Sequence, residues 1–138
     1  MHDEQQKCEN SPQTHRILLA DDDADFRHLL ALALRKANYE VEECFDGWDL
    51  LRHVASYVLP RKPEDVDLII SDIRMPKMSG LKIIEELGNH KGYPPTILIT
   101  AFGNKEIHEA AKKAGVAAVL DKPFEIDVLL ATVEKILA

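Results

Sequence analysis

The chain has 138 residues, 46% of them apolar and 30% charged, which is the size of one ordinary domain with material for a real core. A formal net charge of −7 argues against nonspecific binding to nucleic acid or anionic membranes, both of which need basic patches. No apolar run approaches the roughly 18 residues of a membrane-spanning helix.

Residues 1–14, "MHDEQQKCENSPQT", lack the apolar stretch of a secretory signal, and their acids argue against a transit peptide. They read as a disordered polar leader. The first apolar run, Arg16–Ala20, reads as a strand and ends in Asp21, Asp22 and Asp23. Behind it, Phe26, Leu29, Leu30, Ala33, Leu34 and Ala37 follow the i, i+3, i+4, i+7 spacing of a helix stripe. Asp23 reads as the cap of that helix rather than as a ligand. A second strand spans Glu40–Cys44, and Leu51, Val54, Ala55 and Val58 mark a second helix. Cys8 and Cys44 have no metal-ligand spacing. They read as a loose thiol and a half-buried one without a structural disulfide, in a reducing, cytoplasmic setting.

After the loop "LPRKPED" comes a third strand, Asp67–Ser71, followed at once by Asp72. Leu81–Leu87 is a shorter helical segment with Ser79 as its cap, and "GNHKGYPP" is a loop. The fourth strand, Thr96–Thr100, ends in a hydroxyl. Ile107, Ala110, Ala111 and Ala114 form the next helix stripe, with Asn104 as its cap and Gly115 as its terminator. The fifth strand, Ala117–Leu120, leads into Asp121 and Lys122. Ile126, Leu129, Leu130, Val133, Ile136 and Leu137 give the last helix.

Five βα units in succession imply a parallel sheet with right-handed crossovers and helices on both faces. Ligands of such sheets bind beyond the carboxyl ends of the strands. Asp21, Asp22, Asp72, Thr100 and Lys122 all stand there, so they should line one mouth. Taken singly, each is an ordinary cap, turn or loop residue; their joint placement carries the signal. Clustered carboxylates repel, and a cation or a proton relieves them. Oxygen donors without a Cys or His pair favour magnesium, manganese or calcium over zinc, and magnesium suits best. A carboxylate beside such an ion can attack a phosphoryl group and form an acyl phosphate. Thr100, Lys122 and the N–H after Thr100 are suited to its oxygens.

"LLADDDADFR", "SDIRMPKMSG", "ILITA" and "AAVLDKPF" together resemble the receiver domain of two-component response regulators, over about Arg16 to Leu137. The resemblance implies a receiver domain at 15–138 with a flavodoxin-like, doubly wound, five-stranded parallel sheet of order 2-1-3-4-5 and five helices. It implies that Asp72 accepts a phosphoryl group from the phosphohistidine of a sensor histidine kinase or phosphotransfer protein. Mg²⁺, with Mn²⁺ as an alternative, would be held by Asp21, Asp22, Asp72 and the backbone carbonyl of Arg74. Thr100, the Ala101 amide and Lys122 would take the phosphoryl oxygens, and the Lys122–Pro123 bond would be cis. The face around the helix that begins near Asn104 would then shift to control an output partner. Neither direct nucleic-acid binding nor membrane association is expected of this chain.

Val119 stands three residues before Lys122, where many receivers carry the Tyr or Phe whose ring turns on activation. That rotamer switch cannot operate here; Phe102 is a candidate replacement, and its bulk is expected to slow loss of the phosphoryl group. Two alternatives remain: a metal-dependent phosphohydrolase working through an aspartyl phosphate, and a receiver that binds partners without phosphorylation. The first usually needs an acid two residues beyond the nucleophile, where this chain has Arg74. Neither glycine-rich nucleotide-binding motif follows the first strand.

Overall fold

The computed structural model describes residues 14–46, Asp49, 66–73, Lys82, Glu85, 94–101 and 105–138. In chain order these form β1 (Arg16–Ala20), α1 (Ala24–Lys36), β2 (Glu40–Cys44), β3 (Leu68–Asp72), β4 (Thr96–Thr100), α2 (Lys105–Lys113), β5 (Ala118–Asp121) and α3 (Ile126–Leu137). The five strands make one sheet in the order β2-β1-β3-β4-β5, and every neighbouring pair is parallel. This is the expected flavodoxin-like topology. Of the five expected helices, three are described. The other two fall outside the described residues, except for helical positions at Asp49, Lys82 and Glu85.

The central strands β1, β3 and β4 are buried at every position but Arg16, as in a sheet covered on both faces. Ile17, Leu19, Leu68, Ile70, Ile97 and Ile99 point to one side, where Leu30 and Leu34 of α1 and Leu129 and Val133 of α3 close over them. Leu98 points to the other side and packs with Ile73 and Ala111 of α2, flanked by Ile107, Val116 and Val119. Burying each such side chain contributes roughly 1.5–3 kcal/mol.

The α1 stripe differs from the sequence reading. Arg27, Leu30, Ala31 and Leu34 are the buried positions, whereas Leu29 is 54% exposed. The helix is turned so that Phe26 and Ala33 lie at the margin of the contact and Leu29 beyond it. The stripes of α2 and α3 face the sheet as expected, with Ala111, Leu129 and Val133 buried. The second-helix stripe, with the caps Ser79 and Asn104, lies outside the described residues. So do Cys8 and all of the leader but Thr14.

Helix ends follow local chemistry. Asp23 caps α1, its carboxylate accepting from the Phe26 N–H at 3.1 Å, as the sequence suggested. Both α1 and α2 close through a left-handed residue, Asn38 (φ 76°) and Gly115 (φ 85°). In each case the next N–H returns to the last turn, Tyr39 to Leu34 at 3.2 Å and Val116 to Ala111 at 3.1 Å.

Strands β3 and β5 each lie one residue further along than hydrophobicity suggested. The ladder sets these ends: the Ile73 N–H donates to Ile99 (3.0 Å) and the Lys122 N–H to Thr100 (2.7 Å). Asp72 is therefore the last residue of a strand and not the first of a loop. Cys44, expected to be half-buried, is a fully buried thiol. Among the described residues no helix is long and apolar enough to cross a membrane.

Candidate functional site

Parallel register brings the strand ends to one edge. Ala20 of β1 is level with Ser71 of β3, so Asp21 and Asp72 follow side by side. Asp72 is level with Ile99, and Thr100 stands one step further along β4. Thr100 is in turn level with Asp121, which sets Lys122 just above it. Residues 50 to 101 positions apart in sequence thus meet. Lys122 Nζ donates to Asp21 Oδ2 at 3.3 Å and to Asp72 Oδ2 at 3.4 Å. One carboxylate oxygen from each of Asp21, Asp22 and Asp72 lies within 4.8 Å of the others. Asp21 and Thr100 are fully buried, Asp72 nearly so, Asp22 and Ala101 exposed, and Lys122 half-buried.

Six of the seven predicted positions, Ala101 among them, are therefore at this mouth; Arg74 lies outside the described residues, as does Phe102. The Lys122–Pro123 bond is cis. Val119 packs into the core cluster under α2, so no ring occupies that position.

The electrostatics of the mouth are those of crowded acids. Burial pushes the Asp21 carboxyl up and the charge of Asp72 adds to this; the Asp23 N–H and Lys122 pull it down, and the net shift is upward. Asp21 Oδ1 accepts the Asp23 N–H at 2.9 Å, so the turn after β1 aims the side chain. The Lys122 ammonium also lies 4.4 Å from the centre of the Phe26 ring, which packs edge-on to Phe124 at 5.9 Å. That side chain is thus held between two carboxylates and an aromatic face.

The donor set fits a hard divalent cation. Its three carboxylates come from two strand ends, and they already draw an ammonium group between two of them. Among the described residues no Cys or His belongs to the cluster, which disfavours zinc.

The sequence reading missed two contributors. Phe26 was assigned to the helix stripe alone, yet its ring faces Lys122. Arg27 was not singled out, yet it is buried and its Nη1 donates to the Asp21 carbonyl at 2.6 Å. A signal was present: Arg27, Leu30, Ala31 and Leu34 have helix-stripe spacing, provided an arginine is allowed at an apolar position.

Residues 17–134 match the family model described as the response regulator receiver domain. The chain is 36% identical over 120 residues to the transcriptional regulatory protein PdtaR of Mycobacterium tuberculosis, covering 86% of this chain and 55% of that protein. It thus spans about half the length of that relative. It is 32% identical to a chemotaxis protein CheY homolog of Campylobacter jejuni, covering 88% of this chain and 92% of that one. Among solved structures, chemotaxis protein CheY4 of Vibrio cholerae superposes with a TM-score of 0.75 at 28% identity, over 89% of this chain and 98% of that one. A CheY-like receiver domain protein of Methanospirillum hungatei gives 0.77 at 25% identity, over 91% and 94%.

Proposed function

The chain belongs to the response regulator receiver domain family, and from that premise we propose that its switch is Asp72, accepting a phosphoryl group from a phosphohistidine. The donor is the sensor histidine kinase or phosphotransfer protein with which receiver domains work. The observation that carries the reading is the ammonium of Lys122 within 3.4 Å of carboxylates from two different strand ends. It sets a ready counter-charge beside the acceptor carboxylate for the group that it accepts.

In the transfer, an Asp72 carboxylate oxygen attacks phosphorus. The P–N bond of the donor breaks, its electron pair leaves with the imidazole, and an O–P bond forms. The Lys122 ammonium, the Thr100 hydroxyl and the Ala101 N–H take the phosphoryl oxygens. Asp21, Asp22, Asp72 and the Arg74 carbonyl are the residues that would hold Mg²⁺, or Mn²⁺ in its place. When bound, the ion supplies charge neutralisation for the acids and for the incoming phosphoryl group.

A receiver domain is a regulatory signalling unit, and the chain's chemistry is confined to gaining and losing its own phosphoryl group. The phosphohydrolase alternative has no support from the family match. The unit is taken as residues 15–138, in keeping with the match over 17–134. A cytoplasmic setting suits a buried reduced thiol at Cys44. Phosphorylation adds nearly two negative charges at the mouth. With Val119 in the core under α2, the response passes through Thr100 and the α2 face rather than through a turning ring. That face would meet the output protein or domain; neither nucleic acid nor membrane is a direct partner of this chain.

Incubation with acetyl phosphate and Mg²⁺ should add one phosphoryl group by intact mass, and EDTA should prevent it. No gain with Mg²⁺ present would end the reading.

A further inference from the structure

A buried charge next to the mouth is not explained by the acceptor chemistry. Arg27 sits in the first turn of α1 with only 9% of its surface exposed. Its Nη1 donates to the main-chain carbonyl of Asp21 at 2.6 Å, and its Nε donates to Glu43 Oε1 on β2 at 2.9 Å. Glu43 is itself held from two other sides, by His28 Nδ1 at 2.8 Å and by Arg35 Nη1 at 3.3 Å. Arg35 is anchored in turn by donating to the Val41 carbonyl at 2.8 Å. The guanidinium is therefore a brace, fixed at one end to β2 and pressed at the other on the peptide that joins Asp21 to Asp22.

The consequence for the acids is geometric. The Asp21 N–H, in the peptide before it, donates to the Cys44 carbonyl at 3.1 Å, so both peptides flanking Asp21 are tied, one directly to β2 and the other through Arg27. With both sides fixed, the direction in which the chain leaves for Asp22 is fixed too. A neutral helix residue at position 27 would leave the buried Asp21 carbonyl to find another donor, and the turn would be free to tilt. Charge-assisted bonds from a planar guanidinium fork hold such an orientation better than a single-point ammonium.

We propose that Arg27 is a positioning residue for the acidic pair, setting through the Asp21 carbonyl the spacing at which Asp21 and Asp22 can share one divalent cation. This rests on the reading of the mouth given above. Glu43 is the anchor of the brace, and its carboxyl agrees with that role. Burial raises it, yet the bonds and charges of Arg27 and His28 outweigh this and hold it below the ordinary range.

The test is Mg²⁺ titration of the unphosphorylated full chain by calorimetry, at a temperature where circular dichroism shows every variant folded. Arg27→Gln should weaken Mg²⁺ binding about 10-fold, the scale on which removal of a ligand-orienting partner acts. Arg27→Lys should fall between that variant and the wild type. Ala31→Gly, which destabilises the same helix away from the mouth, should bind as the wild type does. Equal Mg²⁺ affinity in folded Arg27→Gln and wild type would overturn the proposal, and a weakening matched by Ala31→Gly would reduce Arg27 to a stability role and overturn it too. If Arg27→Gln fails to fold, Arg27→Lys decides between the same outcomes. A wild type that takes up no Mg²⁺ would instead overturn the reading of the mouth itself.

Discussion

Asp21, fully buried, and Glu43, partly buried, are both carboxylates near the β1 end, yet their environments push them in opposite directions. For Asp21, burial and the neighbouring Asp72 outweigh its donors, so its folded pKa stands above the ordinary 3.8. Its contribution to stability is fully present below 3.8 and is lost as pH rises through the raised folded value. Glu43 behaves oppositely: its stabilising contribution is present above the ordinary 4.5 and is lost as pH falls through its lowered folded value. In Mg²⁺-free buffer, urea unfolding should therefore show wild type gaining on Asp21→Asn as pH falls from neutrality to about 4. Over a range taken lower still, wild type should lose its advantage over Glu43→Gln. Differences independent of pH would contradict both assignments. The acids themselves were legible in the sequence, because each follows an apolar run. Arg27 was harder to read, because its stripe spacing puts an arginine at an apolar position, and its burial depends on the Asp21 carbonyl and on Glu43 of β2.

Among the elements, strand identity was readable because both-face burial forces near-continuous apolar runs, and Ile17–Ala20 and Ile97–Thr100 are such runs. Strand ends were less so, since backbone bonds from Ile73 and Lys122, not side-chain character, set them. The orientation of α1 was misread because Leu29, placed in its stripe, is apolar but 54% exposed. The close of α2 was read correctly from Gly115 alone. Its φ of 85° belongs to glycine, and a Cβ there would meet nothing within 4 Å. Gly115→Ala should thus destabilise by about 1–2 kcal/mol through backbone strain, not collision. Urea denaturation should show a lower midpoint with unchanged slope; a neutral result would contradict the left-handed assignment. The His108–Asp121 contact at 3.1 Å ties α2 to the end of β5 beside Lys122. Both side chains are about half exposed, so the pair is a minor contributor to stability.

The molecule as a whole is one doubly wound sheet whose topology places acids from β1 and β3 and an ammonium after β5 at a single edge. That convergence was inferred from five strand-and-helix units in order, and the register explains why it holds. Gathering such charges destabilises the folded chain, and a cation that binds only that form should restore it. Mg²⁺ at about a hundred times its dissociation constant adds about 2.7 kcal/mol, which should raise the melting temperature by several degrees. Unchanged melting in millimolar Mg²⁺ would contradict the cation site. The central claim is that Asp72 is the oxygen nucleophile of this edge. Its most direct test is intact mass after acetyl phosphate and Mg²⁺, with wild type and Asp72→Asn side by side. One phosphoryl group on the wild type and none on the folded variant is the predicted result; the same gain on both would place the acceptor elsewhere.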